Sequence, residues 1–234
     1  MENYPNKLMS ETAIVEAQKQ YLSKVYAWMV GGLLLTGVIS FLGHDFFASI
    51  LQQNPSIIWI ALLIELGLVI ALSAAIHKIS PFAAGAMFLG YSFLNGITLS
   101  LVFMRYTEGS LYSTFFIAAG MFGAMSVYGF VTKRDLSGMG SFLFMGLIGL
   151  IIASIVNIWM QSPMVHWIAS IAGVIIFTGL TAYDTQQIKE GYVLEGEPNG
   201  AALVQKGAII GALKLYLDFI NLFLMLLRVL GNRR

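Results

Sequence analysis

The sequence predicts an all-α integral membrane protein that consists of a bundle of seven transmembrane helices. Of its 234 residues, 58% are hydrophobic and only 11% are charged, whereas about 25% of the residues in a typical soluble domain are charged. Seven stretches are also apolar over the roughly 20 residues that a helix needs to cross a bilayer. The composition therefore argues against a soluble enzyme and makes the lipid bilayer the expected surrounding of the chain.

The predicted spans follow one another with short connections. Pro55, Pro81 and Pro163 fall at the edges of the second, third and sixth spans, where a missing N–H group is tolerated. Glycines recur inside the spans and allow membrane helices to approach closely. In chain order, the seven spans cover residues 25–43, 56–76, 82–104, 111–131, 140–160, 164–187 and 207–230.

We expect two regions, a polar leader over residues 1–24 and a transmembrane domain over residues 25–234. The leader mixes both signs of charge, whereas a cleavable signal peptide has a basic start, an apolar core and a small-residue cleavage site. We therefore predict that the leader is retained and lies, as an amphipathic segment, on the cytoplasmic membrane surface. Its charged residues are Glu2, Lys7, Glu11, Glu16, Lys19 and Lys24.

Lysine and arginine are concentrated in alternate connections, which predicts a cytoplasmic N-terminus by the positive-inside rule. They occur in the leader and in the connections after the second, fourth and sixth spans, while the intervening connections carry only Arg105. Seven crossings then place the C-terminus outside. The cluster Arg228, Arg233 and Arg234 runs against this pattern. A last segment that re-enters and returns is the alternative, but its length and its lack of proline favour a full crossing.

Three acidic residues lie inside predicted spans, where a charge costs about 2.5–3.5 kcal/mol on insertion scales. Glu65 and Asp218 lie at the centres of the second and seventh spans, and Asp184 lies toward the cytoplasmic end of the sixth. Lys214 and Asn221 share one helix face with Asp218, because they fall at i−4 and i+3. Such residues normally face the bundle interior or a water-filled cavity. We therefore predict that these five residues line or gate an internal site.

Two interpretations of these acids remain open. In one, Lys214 forms an internal salt bridge with Asp218 and the acids only hold helices together. In the other, Asp184 and Asp218 share one proton in a low-dielectric site and so latch two helices. Loss of that proton would create repulsion, and a divalent cation such as Ca²⁺ would suit the two carboxylates.

Other classes of function find no support. The chain has no cysteine, and its three histidines, His44, His77 and His166, lack the spacing of a metal site. The net charge of +1 gives no reason to expect nucleic acid as a partner. There is no nucleophile motif, nucleotide-binding loop or GxGD signature, so we expect neither an enzyme nor a bound cofactor, with Ca²⁺ only as a transported or regulatory ion.

Three segments resemble the Bax inhibitor-1 family, also called the transmembrane Bax-inhibitor-motif proteins. They are GALKLYLDFINLFLMLLRVLGNRR at the C-terminus, TAYDTQQIK, and TKRDLSGMGSFLFMGLIG. The resemblance extends from about Gln20 onward and is to a bacterial inner-membrane member. It implies a seven-helix bundle with the last helix at its centre, and a pH-sensitive calcium leak.

The resemblance assigns the pH-sensing pair to Asp184 and Asp218, and a pore-lining or regulatory acid to Glu65. Lys214 departs from the family pattern, in which a small or hydroxyl residue is expected one turn before the aspartate. A lysine there would neutralise Asp218 and compete with a cation. In some relatives an arginine latch ends the second helix, whereas this chain has the sequence Ile-His-Lys over residues 76–78.

The family also suggests an alternative function of another class. Some bacterial relatives resemble modulators of a membrane-anchored ATP-dependent protease, so the chain would act by binding that protease or another membrane protein. The polar leader and residues 189–206 are the expected docking surfaces in that case.

Overall fold

The computed structural model describes residues 11–191 and 200–233 of the chain. Seven of its helices are long and apolar enough to cross a membrane, which confirms the predicted fold class. The helices in chain order are α1 (Glu11–Leu42), α2 (His44–Gln53), α3 (Pro55–Ala75), α4 (Pro81–Arg105), α5 (Glu108–Val131), α6 (Ser137–Met160), α7 (Pro163–Glu190) and α8 (Gly200–Leu230).

The prolines at the predicted segment edges start helices. Pro55, Pro81 and Pro163 each occupy the first turn of a helix, where the missing N–H group costs no intrahelical bond. Ser80 and Ser162 cap two of these helices, because their side chains accept hydrogen bonds from the backbone N–H groups three residues later.

Helix α2 is not among the predicted spans. Its ten residues are too few to cross a bilayer. The helix is amphipathic, with His44 and Asp45 at one end and a fully buried Leu51 near the other, and it packs against α4. A short amphipathic helix of this kind lies in the connection between two spans, where a search for long apolar windows overlooks it.

Helix α8 forms the centre of the bundle, as the family resemblance implied. It packs against α1, α4, α5 and α7, and two-thirds of its most apolar window is buried, compared with about a tenth of that of α3. Helices α3 and α6 are peripheral and pack mainly on α4 and α7, respectively. Polar side chains on α8 therefore point into protein or into an internal cavity.

The two ends of the bundle are each held by hydrogen bonds between distant segments. At the N-terminal end, where α1 begins, the Gln18 side chain donates to the Lys189 carbonyl and the Gln186 side chain donates to the Arg134 carbonyl. At the C-terminal end, where α8 finishes, the backbone N–H of Thr107 donates to the carbonyl of Asn232. Residues 11–24 belong to α1, and the rest of the predicted leader, residues 1–10, lies outside the described residues.

Gly129 allows α5 and α7 to touch backbone to backbone. A Cβ atom at this position would lie 2.9 Å from the carbonyl carbon of Ala182 and closer still to its oxygen. We expect Gly129→Ala to lower the free energy of unfolding by about 1–3 kcal/mol, since the two helices must separate. The melting temperature in detergent measures this loss.

Gly120 on the same helix provides the matched control, because a Cβ there meets nothing within 4 Å. Gly120→Ala should leave the melting temperature unchanged or raise it slightly. Equal effects of the two substitutions would show that the α5–α7 contact is not as close as described.

Candidate functional site

A cavity of about 1550 Å³ lies between α3 and α6 and is bounded on its inner side by α7 and α8. It extends along α6 from Gly140 to Ile158, roughly 27 Å at the helical rise per residue. The hydrocarbon core of a bilayer is about 30 Å thick, so the cavity covers most of the membrane depth. All five residues predicted from the sequence line it, namely Glu65, Asp184, Lys214, Asp218 and Asn221.

Asp184 of α7 and Asp218 of α8 are brought together by the packing of these two helices. Their carboxyl groups lie close enough to interact with each other electrostatically. The Asp218 side chain is buried, and its Oδ2 atom has no hydrogen-bond partner among the described residues. A direct hydrogen bond between two carboxyl groups requires a proton on one of them. Such a bond would link α7 to α8.

Lys214 forms its ion pair with Asp184 rather than with Asp218. Its Nζ atom lies 4.0 Å from Oδ1 of Asp184, and half of the lysine side chain is exposed in the cavity. The salt bridge considered from sequence joined Lys214 to Asp218 one turn away on α8. The closest carboxylate is instead on the neighbouring helix, although the lysine also acts electrostatically on Asp218. The ammonium group thus offsets one of the two negative charges of the pair.

Glu65 belongs to a separate polar network at the opposite wall of the cavity. Its Oε1 atom accepts a hydrogen bond of 2.9 Å from the Thr98 hydroxyl, and its Oε2 atom accepts one of 3.3 Å from the Asn95 amide. The Tyr216 hydroxyl donates to Oδ1 of Asn95 at 3.1 Å and lies 2.6 Å from the Thr36 hydroxyl. The network therefore links α1, α3, α4 and α8.

The three acids share one cavity but do not form one metal centre. In residues 11–191 and 200–233, no group of three or more acidic, histidine or cysteine side chains could hold a metal ion. Ca²⁺ takes six to eight oxygen ligands, whereas Asp184 and Asp218 supply two carboxylates with the Lys214 ammonium beside them. This donor set suits a transient cation better than a resident one. The amide NH₂ of Asn221 donates to the Leu217 carbonyl at 2.8 Å, and this bond does not involve the amide oxygen, the atom through which an asparagine binds a cation.

The sequence reasoning missed several residues of this site. Asn95 and Tyr216 are neutral side chains in apolar spans, and only the i, i+3 spacing of Asn95 and Thr98 hinted at a polar face. His166 and Arg228 also line the cavity, at the C-terminal end of the bundle, and the sequence analysis did not assign them to the site. A cavity that has acids in its interior and an arginine and a histidine at one end was not predicted.

The bundle and its cavity define a class of multi-pass membrane proteins with buried carboxyl groups around an internal cavity. Residues 18–234 match the family model described as "Inhibitor of apoptosis-promoting Bax1". The chain is 49% identical over 217 residues to the inner membrane protein YbhL of Escherichia coli K12, with 92% of each chain covered. It is 46% identical over 230 residues to an uncharacterized protein of Borreliella burgdorferi, with 97% of this chain and 98% of the relative covered.

A third relative, protein RP147 of Rickettsia prowazekii, is 43% identical over 223 residues, which cover 94% of this chain and 92% of the relative. The family match extends over nearly all of the chain, including every helix that lines the cavity. The chain belongs to the Bax inhibitor-1 family, as its sequence motifs predicted.

Proposed function

We propose that this protein is a pH-sensitive cation leak channel of the bacterial inner membrane, with calcium as its main ion and its N-terminus in the cytoplasm. The observation that carries the proposal is the cavity of membrane depth, in which Glu65, Asp184 and Asp218 all lie. A path of this length lined by buried carboxylates attracts cations, because negative groups in a low-dielectric wall act strongly on an ion.

The Asp184–Asp218 pair supplies the gate in this proposal. With one shared proton, the pair links α7 to α8 and the path is closed. When the pH rises and the proton leaves, two negative charges face each other and only Lys214 offsets them. Repulsion then favours separation of the two carboxyl groups, and the net negative charge favours entry of a cation. Flux should therefore rise with pH.

The proposal is tested by calcium entry into liposomes that contain only the purified protein and an enclosed calcium indicator. We expect entry above that of protein-free liposomes, with a rate that increases from pH 6 to pH 8. The alternative function, modulation of a membrane-anchored protease or another membrane partner, predicts no entry, because no partner is present. Absence of calcium entry at every pH would contradict the leak.

Removal of the Lys214 charge is expected to increase the flux. In Lys214→Gln the ammonium group no longer neutralises Asp184 or repels a cation in the cavity. Because half of this side chain is exposed, the effect should be modest, roughly two- to fivefold. The initial rate of calcium entry at fixed pH measures it.

Lys206→Gln is the matched control, since Lys206 is a half-buried lysine of the same helix that does not line the cavity. Its flux should equal that of the unmodified protein. If Lys214→Gln reduced the flux instead, the lysine would be part of the conducting path rather than an obstacle to cations.

A further inference from the structure

Three arginines and a histidine meet at the C-terminal end of the bundle, outside the acidic part of the cavity. Arg228 of α8 and His166 of α7 line that end of the cavity. Arg105 is the last residue of α4, and Arg233 follows the end of α8. His166 interacts electrostatically with all three arginines, and Arg228 interacts with Arg105. The four side chains therefore form one cluster, although they come from three separate parts of the chain.

The end of the chain is attached to the α4–α5 connection, and this attachment holds the cluster together. The backbone N–H of Thr107 donates to the Asn232 carbonyl at 3.1 Å, and the backbone N–H of Asn232 donates to the Ser110 hydroxyl at 2.9 Å. Tyr106 and Arg233 pair as an antiparallel bridge. Arg233 and Arg105 carry like charges and repel each other, so Arg233 would move away if the end of the chain were not attached. The hydrogen bonds to Thr107 and Ser110 oppose that movement.

Neither of the two ion pairs found among the described residues, His44–Asp45 and Lys214–Asp184, includes a side chain of this cluster. The hydrogen bond found for the Arg228 side chain is a long one of 3.9 Å to the sulfur of Met225. A guanidinium group has five N–H donors, so most of the donor capacity of Arg228 remains for a ligand.

We propose that Arg105, Arg228, Arg233 and His166 bind the phosphate group of an anionic phospholipid or a free phosphate ion. Guanidinium groups match phosphate oxygens in a bidentate manner and are preferred for that purpose over ammonium groups. The cluster lies where the spans end, at the depth of lipid headgroups. Phosphate binding also accounts for the arginines at the C-terminus that run against the positive-inside pattern. The site is independent of whether the cavity conducts cations.

Native mass spectrometry of the detergent-solubilised protein tests the site. Dipalmitoyl phosphatidylglycerol is the anionic probe, and dipalmitoyl phosphatidylcholine is the lipid without net charge. We expect the phosphatidylglycerol adduct to be retained at activation energies that remove phosphatidylcholine. Its apparent affinity should fall about fivefold in Arg105→Gln and again in Arg105→Gln combined with Arg228→Gln. Arg105 is exposed, so the first variant leaves the packing of α8 intact.

Arg134→Gln is the matched control, because Arg134 is an exposed arginine at the opposite end of the bundle. It should bind phosphatidylglycerol like the unmodified protein. Equal losses in Arg134→Gln and Arg105→Gln would overturn the proposal, since they would indicate general attraction of basic side chains for lipid. Equal retention of both lipids by the unmodified protein would overturn it as well.

Inorganic phosphate added at increasing concentration distinguishes the two sources of the phosphate group. Displacement of phosphatidylglycerol at millimolar phosphate, but not at the same ionic strength of chloride, assigns the site to free phosphate. Retention of the lipid in both salts assigns it to the headgroup. Displacement by both salts alike would overturn the proposal, because binding would then reflect charge alone.

Discussion

Replacement of Asp218 by asparagine should abolish the pH dependence of calcium flux. The asparagine amide can donate a hydrogen bond to Asp184 at every pH, so it imitates the protonated pair permanently. We therefore expect flux at pH 8 to fall by about tenfold or more, to the level that the unmodified protein shows at pH 6. Calcium entry into indicator-loaded liposomes, measured between pH 6 and pH 8, gives the complete profile.

Asp135→Asn is the matched control for this substitution. Asp135 is an exposed acid between α5 and α6, and its hydrogen bonds from Ser137 lower the pKa of its carboxyl group. A group whose pKa is lowered stays ionised above its ordinary titration range and contributes no change between pH 6 and pH 8. Asp135→Asn should therefore keep the full pH dependence. An unaltered profile in Asp218→Asn would refute the assignment of the gate to the aspartate pair.

Replacement of Asn95 by leucine should destabilise the bundle more than any other change to its polar network. Asn95 donates to Glu65 and accepts from Tyr216, so its loss leaves two buried polar groups short of a partner. Leucine has a similar volume, which keeps the change in packing small. We expect the free energy of unfolding to fall by about 1–3 kcal/mol, as measured by unfolding in a mixed detergent series.

Asn221→Leu makes the same chemical change at another site in the cavity wall. The amide of Asn221 donates to the Leu217 carbonyl of its own helix, and that carbonyl can still accept the backbone hydrogen bond of the helix when the amide is lost. The free energy of unfolding should therefore change by no more than about 0.5 kcal/mol. If both leucine variants lost stability equally, the Asn95 bridge between α3 and α8 would not be a particular source of stability.

The spans could be predicted because their signals are local in the sequence. Window length and low charge located the seven crossings, and Pro55, Pro81 and Pro163 marked helix starts correctly. The central position of α8 was different, since it came from family resemblance rather than from any property of the apolar run itself. Helix α2 escaped prediction because its signal is amphipathic and short.

The site was only partly predictable, because it depends on which helix faces meet. Charges in apolar spans identified Glu65, Asp184 and Asp218, since burial of an ionisable group requires a reason. The partner of Lys214 could not be derived in the same way. Spacing along α8 favoured Asp218, one turn away, but the closest carboxylate belongs to Asp184 on α7. The sequence of one helix does not reveal the distances from its side chains to those of a neighbouring helix.

The buried network around Tyr216 was hidden for a related reason. Tyr216 and Asp218 are two residues apart, so they project about 200° apart around α8 and face different neighbours. Tyr216 forms hydrogen bonds with Asn95 and Thr36, whereas Asp218 interacts electrostatically with Asp184. Tyrosine and asparagine are uncharged, so their presence in an apolar span did not indicate a buried polar network.

The claim that cations pass through the cavity between α3 and α6 is tested most directly by chemical block at its wall. The chain has no cysteine, so a cysteine introduced by Ser154→Cys, a substitution in the cavity lining, is the only thiol for a positively charged methanethiosulfonate reagent. Ser113→Cys on α5 is exposed outside this cavity and serves as the control. We predict that complete modification stops calcium flux in Ser154→Cys and leaves it intact in Ser113→Cys. Unchanged flux after complete modification of Ser154→Cys would contradict this account of the path.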